Sequence, residues 1–458
     1  MKRPSSRSDG LLGPLFSSPA VEQQLSDESL LRAMLQAEAA LASASAKRGV
    51  VPADAAALIQ EVCEHGEFDV EELGANGETA GNPVVPLVRS LVRQVPDAAR
   101  PWVHFGATSQ DIFDTAVMLI AQSAGRLVLV DLATVVAELA SLTAAHRRTV
   151  MLGRTLGQQA VVTTFGMKSA GWLVAVDAAR SALAASLETD LAAQLGGAAG
   201  TMGVFGAAGP EVLREFAGQT GLAEPVVPWH TDRQRILRFA AALSEVVAAV
   251  GKLALDVELL AQTEIGEVYE GGDASHGSSS AMPHKRNPVD AVLIRAAAYQ
   301  SPGLVATLFA ASQHELERAA GAWHAEWAPL LELERVTGGA VARAVRLARA
   351  LEVDAARMRE NLDSTGGLVM AEQLTALLAP ALGRSRASDV VARCCEHARR
   401  SGRQLRDVVL ADDDVRSHLS AAQIDESLDP QGALHAIDGL IDRALAHCVP
   451  TSLSGGDA

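Results

Sequence analysis

Residues 277–288 read G-S-S-S-A-M-P-H-K-R-N-P, which gathers three hydroxyls, an ammonium, a guanidinium and an amide into one short irregular segment. Such a set suits an anionic ligand, because charge-assisted hydrogen bonds to a carboxylate are the strong ones. The plainer reading is a solvated turn with a capping serine. A second candidate is the stretch 195–210, L-G-G-A-A-G-T-M-G-V-F-G-A-A-G-P, whose glycines could cradle a phosphate. It lacks G-x-G-x-x-G spacing and no strand-like run precedes it, so a loop between helices is expected there. His104, His284 and His324 could each reach an active site, with a hydrogen-bonded structural role expected for His104 and His324 and a loop position for His284. No group of His, Asp, Glu and Cys has metal-ligand spacing, so neither a metal nor a cofactor is expected.

These residues have to be held by helices. The 458 residues are 48% hydrophobic and only 3% aromatic, and Ala, Leu and Val, which interlock well along helices, dominate. Ser26-Asp27-Glu28-Ser29 precedes Leu30, Leu31, Met34, Leu35 and Ala39, a capping signal followed by a helical stripe. Leu243, Val247, Val250, Ala254, Val257 and Ala261 alternate steps of four and three, as a bundle seam requires. Ala-rich faces at 296–298 and 340–344 allow close helix approach, and a homo-oligomer is expected to cover what one chain leaves bare. Helices break again at 361–367, and sheet content should be low. The formal charge of -16 disfavours nucleic acid. No apolar h-region follows the basic start, and no uncharged apolar stretch approaches the ~18 residues of a membrane span, which points to the cytoplasm. The four cysteines, Cys63, Cys394, Cys395 and Cys448, lack C-x-x-C spacing and read as reduced packing residues.

The run S-S-A-M-P-H-K-R-N-P resembles the mobile catalytic loop of the aspartase/fumarase superfamily. The resemblance extends over 102–115 (W-V-H-F-G-A-T-S-Q-D-I-F-D-T), 153–166, 229–235, 321–327 (G-A-W-H-A-E-W) and 82–88, and lies nearest the 3-carboxy-cis,cis-muconate cycloisomerase branch. It implies an all-α fold of three helical domains, set at 1–109, 110–352 and 353–458. The central long-helix bundle would be shared in a homotetramer whose active sites draw on three subunits. It also implies a reaction that takes a proton from the carbon beside a carboxylate and expels a group from the next carbon. On that resemblance Ser279 is the base, Lys285 and Asn287 hold the charged carboxylate, and Thr108, Ser109, Thr155 and Gln158 bind carboxylates. Asn82 and Ser280 join the substrate-binding set. Arg318 matches a family arginine whose fork suits a carboxylate, with a surface ion pair to Glu315 or Glu317 as the alternative. Arg233 and Arg235 either line the entrance or form structural ion pairs.

The chain also departs from its relatives. Ordinary lyases place an acid histidine in G-R-T-H-x-x-H-A, and the cycloisomerases often keep the later one, whereas residues 153–160 read G-R-T-L-G-Q-Q-A and leave both positions empty. A further family histidine is absent from Thr79-Ala80-Gly81-Asn82. Amine and alkoxide leaving groups are strong bases that need a proton donor; nitrite is a weak base and needs none. The expectation is therefore elimination of nitrite from nitrosuccinate to give fumarate, a reaction found close to this branch and tied to diazo and nitrogen–nitrogen bond formation in bacterial natural products. Lactonisation of 3-carboxy-cis,cis-muconate competes with it, and an inactive structural member of the fold is a third reading.

Overall fold

The computed structural model describes residues 11–272, 277, 282 and 284–449. Ser279 and Ser280 lie outside the described residues. The chain forms two compact units. The first holds the chain up to Leu132, Ala178–Gly251 and Leu293–Arg343; the second holds Ala133–Asp177, Lys252–Val292 and the chain from Ala344 onward.

In the first unit the helix Asp27–Lys47 starts where the capping signal places it, with Ser26 Oγ accepting from the Ser29 N–H at 3.2 Å. Its Leu31, Met34, Leu35 and Leu41 are buried, and it packs on the helices Ala53–His65 and Gly209–Thr220. Parts of five long helices follow: Ser109–Ala145, Phe165–Thr189, Gln234–Leu260, Val289–Ala311 and Ala322–Ala350. Small residues let them approach closely, since a Cβ at Gly125 would meet Leu187 at 2.6 Å and one at Gly251 would meet Ala298 at 3.0 Å. Leu243, Val247 and Val250 are buried as the seam predicts, and so are Ala254 and Val257 in the second unit. Ala261 falls just past the end of its helix.

The second unit adds helices from Ala355 onward, around a core that includes Leu374, Leu378, Val390, Leu405 and Ile424. Asp354 caps the helix Ala355–Asp363 by accepting from the Arg357 N–H. The unit also holds two antiparallel two-stranded sheets, β1 (Val150–Thr155) with β2 (Gln158–Thr164) and β3 (Val268–Glu270) with β4 (Leu351–Val353). Val150, Leu152 and Val162 of the hairpin pack on Leu362, Val369, Met370 and Leu434. The fold is all-α with these small sheets as its strand content among the described residues.

The segment 153–160 is the end of a β-hairpin, closed by Leu156 (φ 51°) and Gly157 (φ 77°), the left-handed pair of a type I′ turn. One helix, Ser109–Ala145, is long and apolar enough to cross a membrane by length and composition. Arg126 and Asp131 interrupt it, and its residues 110–121 are buried inside the first unit. All four cysteines are free.

Candidate active site

In the first unit, a chain of hydrogen bonds gathers residues that are far apart in sequence. Asp111, in the first turn of Ser109–Ala145, is 0% exposed, and each of its oxygens accepts two hydrogen bonds. Oδ1 takes the Gly196 N–H at 2.9 Å and faces His230 Nε2 at 2.7 Å; Oδ2 takes the N–H groups of Thr108 and Gly197, both at 2.9 Å. Thr108 and Ser109 thus stand at the helix N-terminus, where backbone N–H groups favour an anion, and their hydroxyls have no hydrogen-bond partner among the described residues. The glycine-rich stretch is a loop, as expected, that continues into a 3-10 turn, Gly203–Ala208.

Arg318 reaches the same glycine loop. Its Nη2 donates to the carbonyls of Gly197 (3.2 Å) and Ala198 (3.1 Å). The surface ion pair with Glu315 or Glu317 does not form; Glu315 accepts from the Ala320 N–H instead. The base of the Arg318 loop is fixed by His314, which faces the His230 carbonyl at 3.2 Å and Glu326 at 3.0 Å.

Arg233 does not line an entrance. It is 3% exposed and lies between Asp114 (2.8 Å) and Glu326 (2.7 Å), with its guanidinium over the Trp229 ring. Burial works against its charge, and the two carboxylates more than offset this, so its pKa is raised. Of the two readings the structural ion pair is the one formed. Arg235 donates to the Thr189 carbonyl at 2.7 Å. Asn82 makes a turn just ahead of the cap Pro83: its Oδ1 accepts from the N–H groups of Val84 and Val85 at the start of the helix Val84–Gln94. His104 faces Glu38 at 2.6 Å and His324 faces the Gly81 carbonyl at 2.9 Å, both structural contacts as expected.

The second unit carries the remaining candidates. Thr155 and Gln158 flank the hairpin turn and are exposed, as is Gln159. The hairpin is anchored below them by Arg154, bidentate to Glu267 at 3.0 and 2.7 Å, and Asn361 donates to the same carboxylate at 2.8 Å. The signature segment is pinned at both ends. Gly277 (φ 66°) accepts at its carbonyl from the N–H and Nδ2 of Asn287, at 2.9 and 3.0 Å, and a Cβ there would lie 2.2 Å from Asn287 O, so glycine is required. Glu270 of β3 caps the following helix, Val289–Ala311, through the N–H groups of Asp290 and Ala291. Lys285, His284 and Asn287 line a cleft of about 840 Å³ shared with Glu258, Tyr269 and Glu352. Among the described residues Lys285 makes no ion pair. The arrangement therefore offers a cation and an amide at one place, and a helix N-terminus with an arginine at another.

A family model described as "Lyase" matches residues 16–303, and one described as "Adenylosuccinate lyase C-terminus" matches 367–444. The chain belongs to the fumarase/aspartase superfamily of lyases. Among relatives of this superfamily it is 46% identical to nitrosuccinate lyase of Streptomyces davaonensis, over 95% of this chain and 94% of that one. It is 42% identical to 3-carboxy-cis,cis-muconate cycloisomerase of Bradyrhizobium diazoefficiens, over 95% and 97%. Its fold matches the crystal structure of 3-carboxy-cis,cis-muconate lactonizing enzyme from Pseudomonas putida with a TM-score of 0.88 at 40% identity, over 96% of this chain and 98% of that one. Sequence reasoning missed Asp111 and Glu267 in this lyase. Asp111 sits inside the quoted T-S-Q-D-I-F-D-T run and could have been suspected there; Glu267 carried no local signal.

Proposed function

We propose that this lyase converts nitrosuccinate to fumarate and nitrite. The observation that carries the reading is the hairpin tip, where Leu156 and Gln159 stand at the positions of the family's histidines and offer no proton donor. In the proposed reaction Ser279 takes a proton from the methylene carbon beside one carboxylate. The released pair forms the carbon–carbon double bond by way of an aci-carboxylate, the C–N bond breaks, and its electrons leave on nitrite. Lys285 and Asn287 stabilise the transient dianion, and Thr108, Ser109, Thr155 and Gln158 hold the carboxylates. Arg318 orients the departing nitro group through its remaining N–H donors. Ser280 completes the substrate-binding set in the loop.

The same reading includes a homotetramer whose sites draw on three subunits, in the cytoplasm, serving diazo-forming natural-product biosynthesis. Exposed apolar residues on the long helices, among them Val174, Leu259, Val292, Tyr299 and Phe309, support an assembly. Lactonisation is the second reading, favoured by the 42% identical cycloisomerase.

The test offers purified enzyme nitrosuccinate and 3-carboxy-cis,cis-muconate separately. Fumarate and nitrite in equal amounts are expected; lactone alone would sink the proposal, and turnover of neither would favour an inactive member of the fold. Replacing Ser279 with Ala should lower turnover by about 10³-fold or more with fold and oligomer intact. Retained activity would remove Ser279 from the base role.

A further inference from the structure

We propose that Asp111 is a positioning residue that sets the Thr108–Ser109 segment and Arg318 in register with each other through the backbone of Gly197. This rests on the reading above that those residues meet the substrate. An ionised carboxylate offers about four acceptor directions, and Asp111 uses four: two on each oxygen, three of them to backbone N–H groups. No Lys or Arg ion pair is recorded for it among the described residues. Its hydrogen bonds tie the last residue before the helix, Thr108, to the glycine loop.

Gly197 extends the tie on both sides of its Cα. Its N–H is held by Asp111 and its carbonyl accepts from Arg318, so a shift in one contact moves the other. The two loops also touch sterically: Gly197 has φ 70°, and a Cβ there would lie 2.9 Å from the carbonyl oxygen of Gly106, two residues before Thr108. With Nη2 taken by two carbonyls, the plane of the Arg318 guanidinium is fixed, and its Nε and Nη1 have no hydrogen-bond partner among the described residues. Asp111 therefore acts on the anion-binding groups without touching the anion itself.

The experiment is a double-mutant cycle on kcat/KM with Asp111→Ala and Arg318→Ala, run on whichever of the two substrates above the wild-type enzyme turns over. Each single change is expected to lower kcat/KM by about 100-fold, and the double change by only a few-fold more, because both remove one arrangement. Asp111→Asn should recover part of the activity, since one amide rotamer keeps an acceptor on Thr108 and Gly197. Losses that multiply to about 10⁴-fold, or an Asn variant as impaired as the Ala variant, would overturn the proposal. If Asp111→Ala does not fold, Gly197→Ala serves in its place: it removes no polar group, and its activity loss should be several-fold smaller in the Arg318→Ala background, where only the effect on the Thr108–Ser109 segment remains. A loss of the same size in both backgrounds would overturn the proposal equally. An Arg318→Ala enzyme with undiminished kcat/KM would instead sink the substrate role of Arg318, a different and separable failure.

Discussion

In the first unit, Thr108, Ser109 and Arg318 hang on a buried carboxylate and on backbone carbonyls, with Asp111, His230, Arg233 and Glu326 beneath them and shielded from water. In the second, Thr155, Gln158 and Lys285 are exposed, and their anchors are Arg154–Glu267, one rung behind the hairpin turn, and Gly277–Asn287, which closes the two ends of the signature segment. Candidate residues of the first kind have their geometry fixed from within. Those of the second are themselves exposed and rest on one anchoring contact beside them. A change at the buried Arg233 ion pairs should therefore register mainly as lost stability, a change at a tip mainly as lost activity, and a change at Asp111 as both.

The largest expected effect breaks this comparison most directly. Arg233→Met should leave Asp114 and Glu326 buried without their cation and cost about 3–5 kcal/mol, read as a large fall in the denaturation midpoint. A stable Arg233→Met protein with raised KM would restore the entrance role and undo the contrast. Next in size is Glu267→Gln, which removes the charge partner of a partly exposed Arg154. A loss of about 2 kcal/mol is expected from a charge-assisted pair of this kind, with activity falling because the hairpin is no longer aimed; unchanged chemical-denaturation curves would mean that this pair does not hold the tip.

A smaller effect is one of pH. Burial opposes the charged form of His104, but Glu38 at 2.6 Å and the nearby Asp111 hold its pKa above the ordinary imidazole range. A raised folded pKa stabilises fully below the unfolded value and ceases to do so as pH rises through the folded one. The stability gap between wild type and His104→Gln should accordingly narrow as pH is raised, and a gap that widens would contradict the pairing. The smallest effect is at the hairpin tip, where Leu156→Asn should gain less than about 1 kcal/mol by suiting the left-handed turn, visible as a slight rise in thermal midpoint.

Much of this was legible in the chain. The capping serine at Ser26, the seam through Leu243 and Val257, and the twelve-residue signature at 277–288 are local patterns, and local patterns survive in a linear reading. The hairpin was not read because its strands lack a clean in–out alternation. Its signal was the density of β-branched residues at Val161, Val162, Thr163 and Thr164 around a two-residue turn. The Asp111 network was hidden for another reason: its partners Gly196, Gly197 and His230 lie 85 to 119 positions away, and nothing in their spacing announces the contact. Arg233 stood between two readings until its burial was known, because an arginine's partners decide whether it is a ligand or a strut.

Leu156 is 102% exposed and left-handed, at a position where the family pattern has a histidine. Outside glycine, Asn, Asp and His are the residues that occupy such backbone most readily. A tip of this kind is a place where one codon can add or withdraw an imidazole while strand pairing, core and helices go on unchanged. In that sense the hairpin separates inheritance of the fold from inheritance of the acid. Under the proposed reaction, that turn is where a scaffold exchanges strongly basic leaving groups for weakly basic ones.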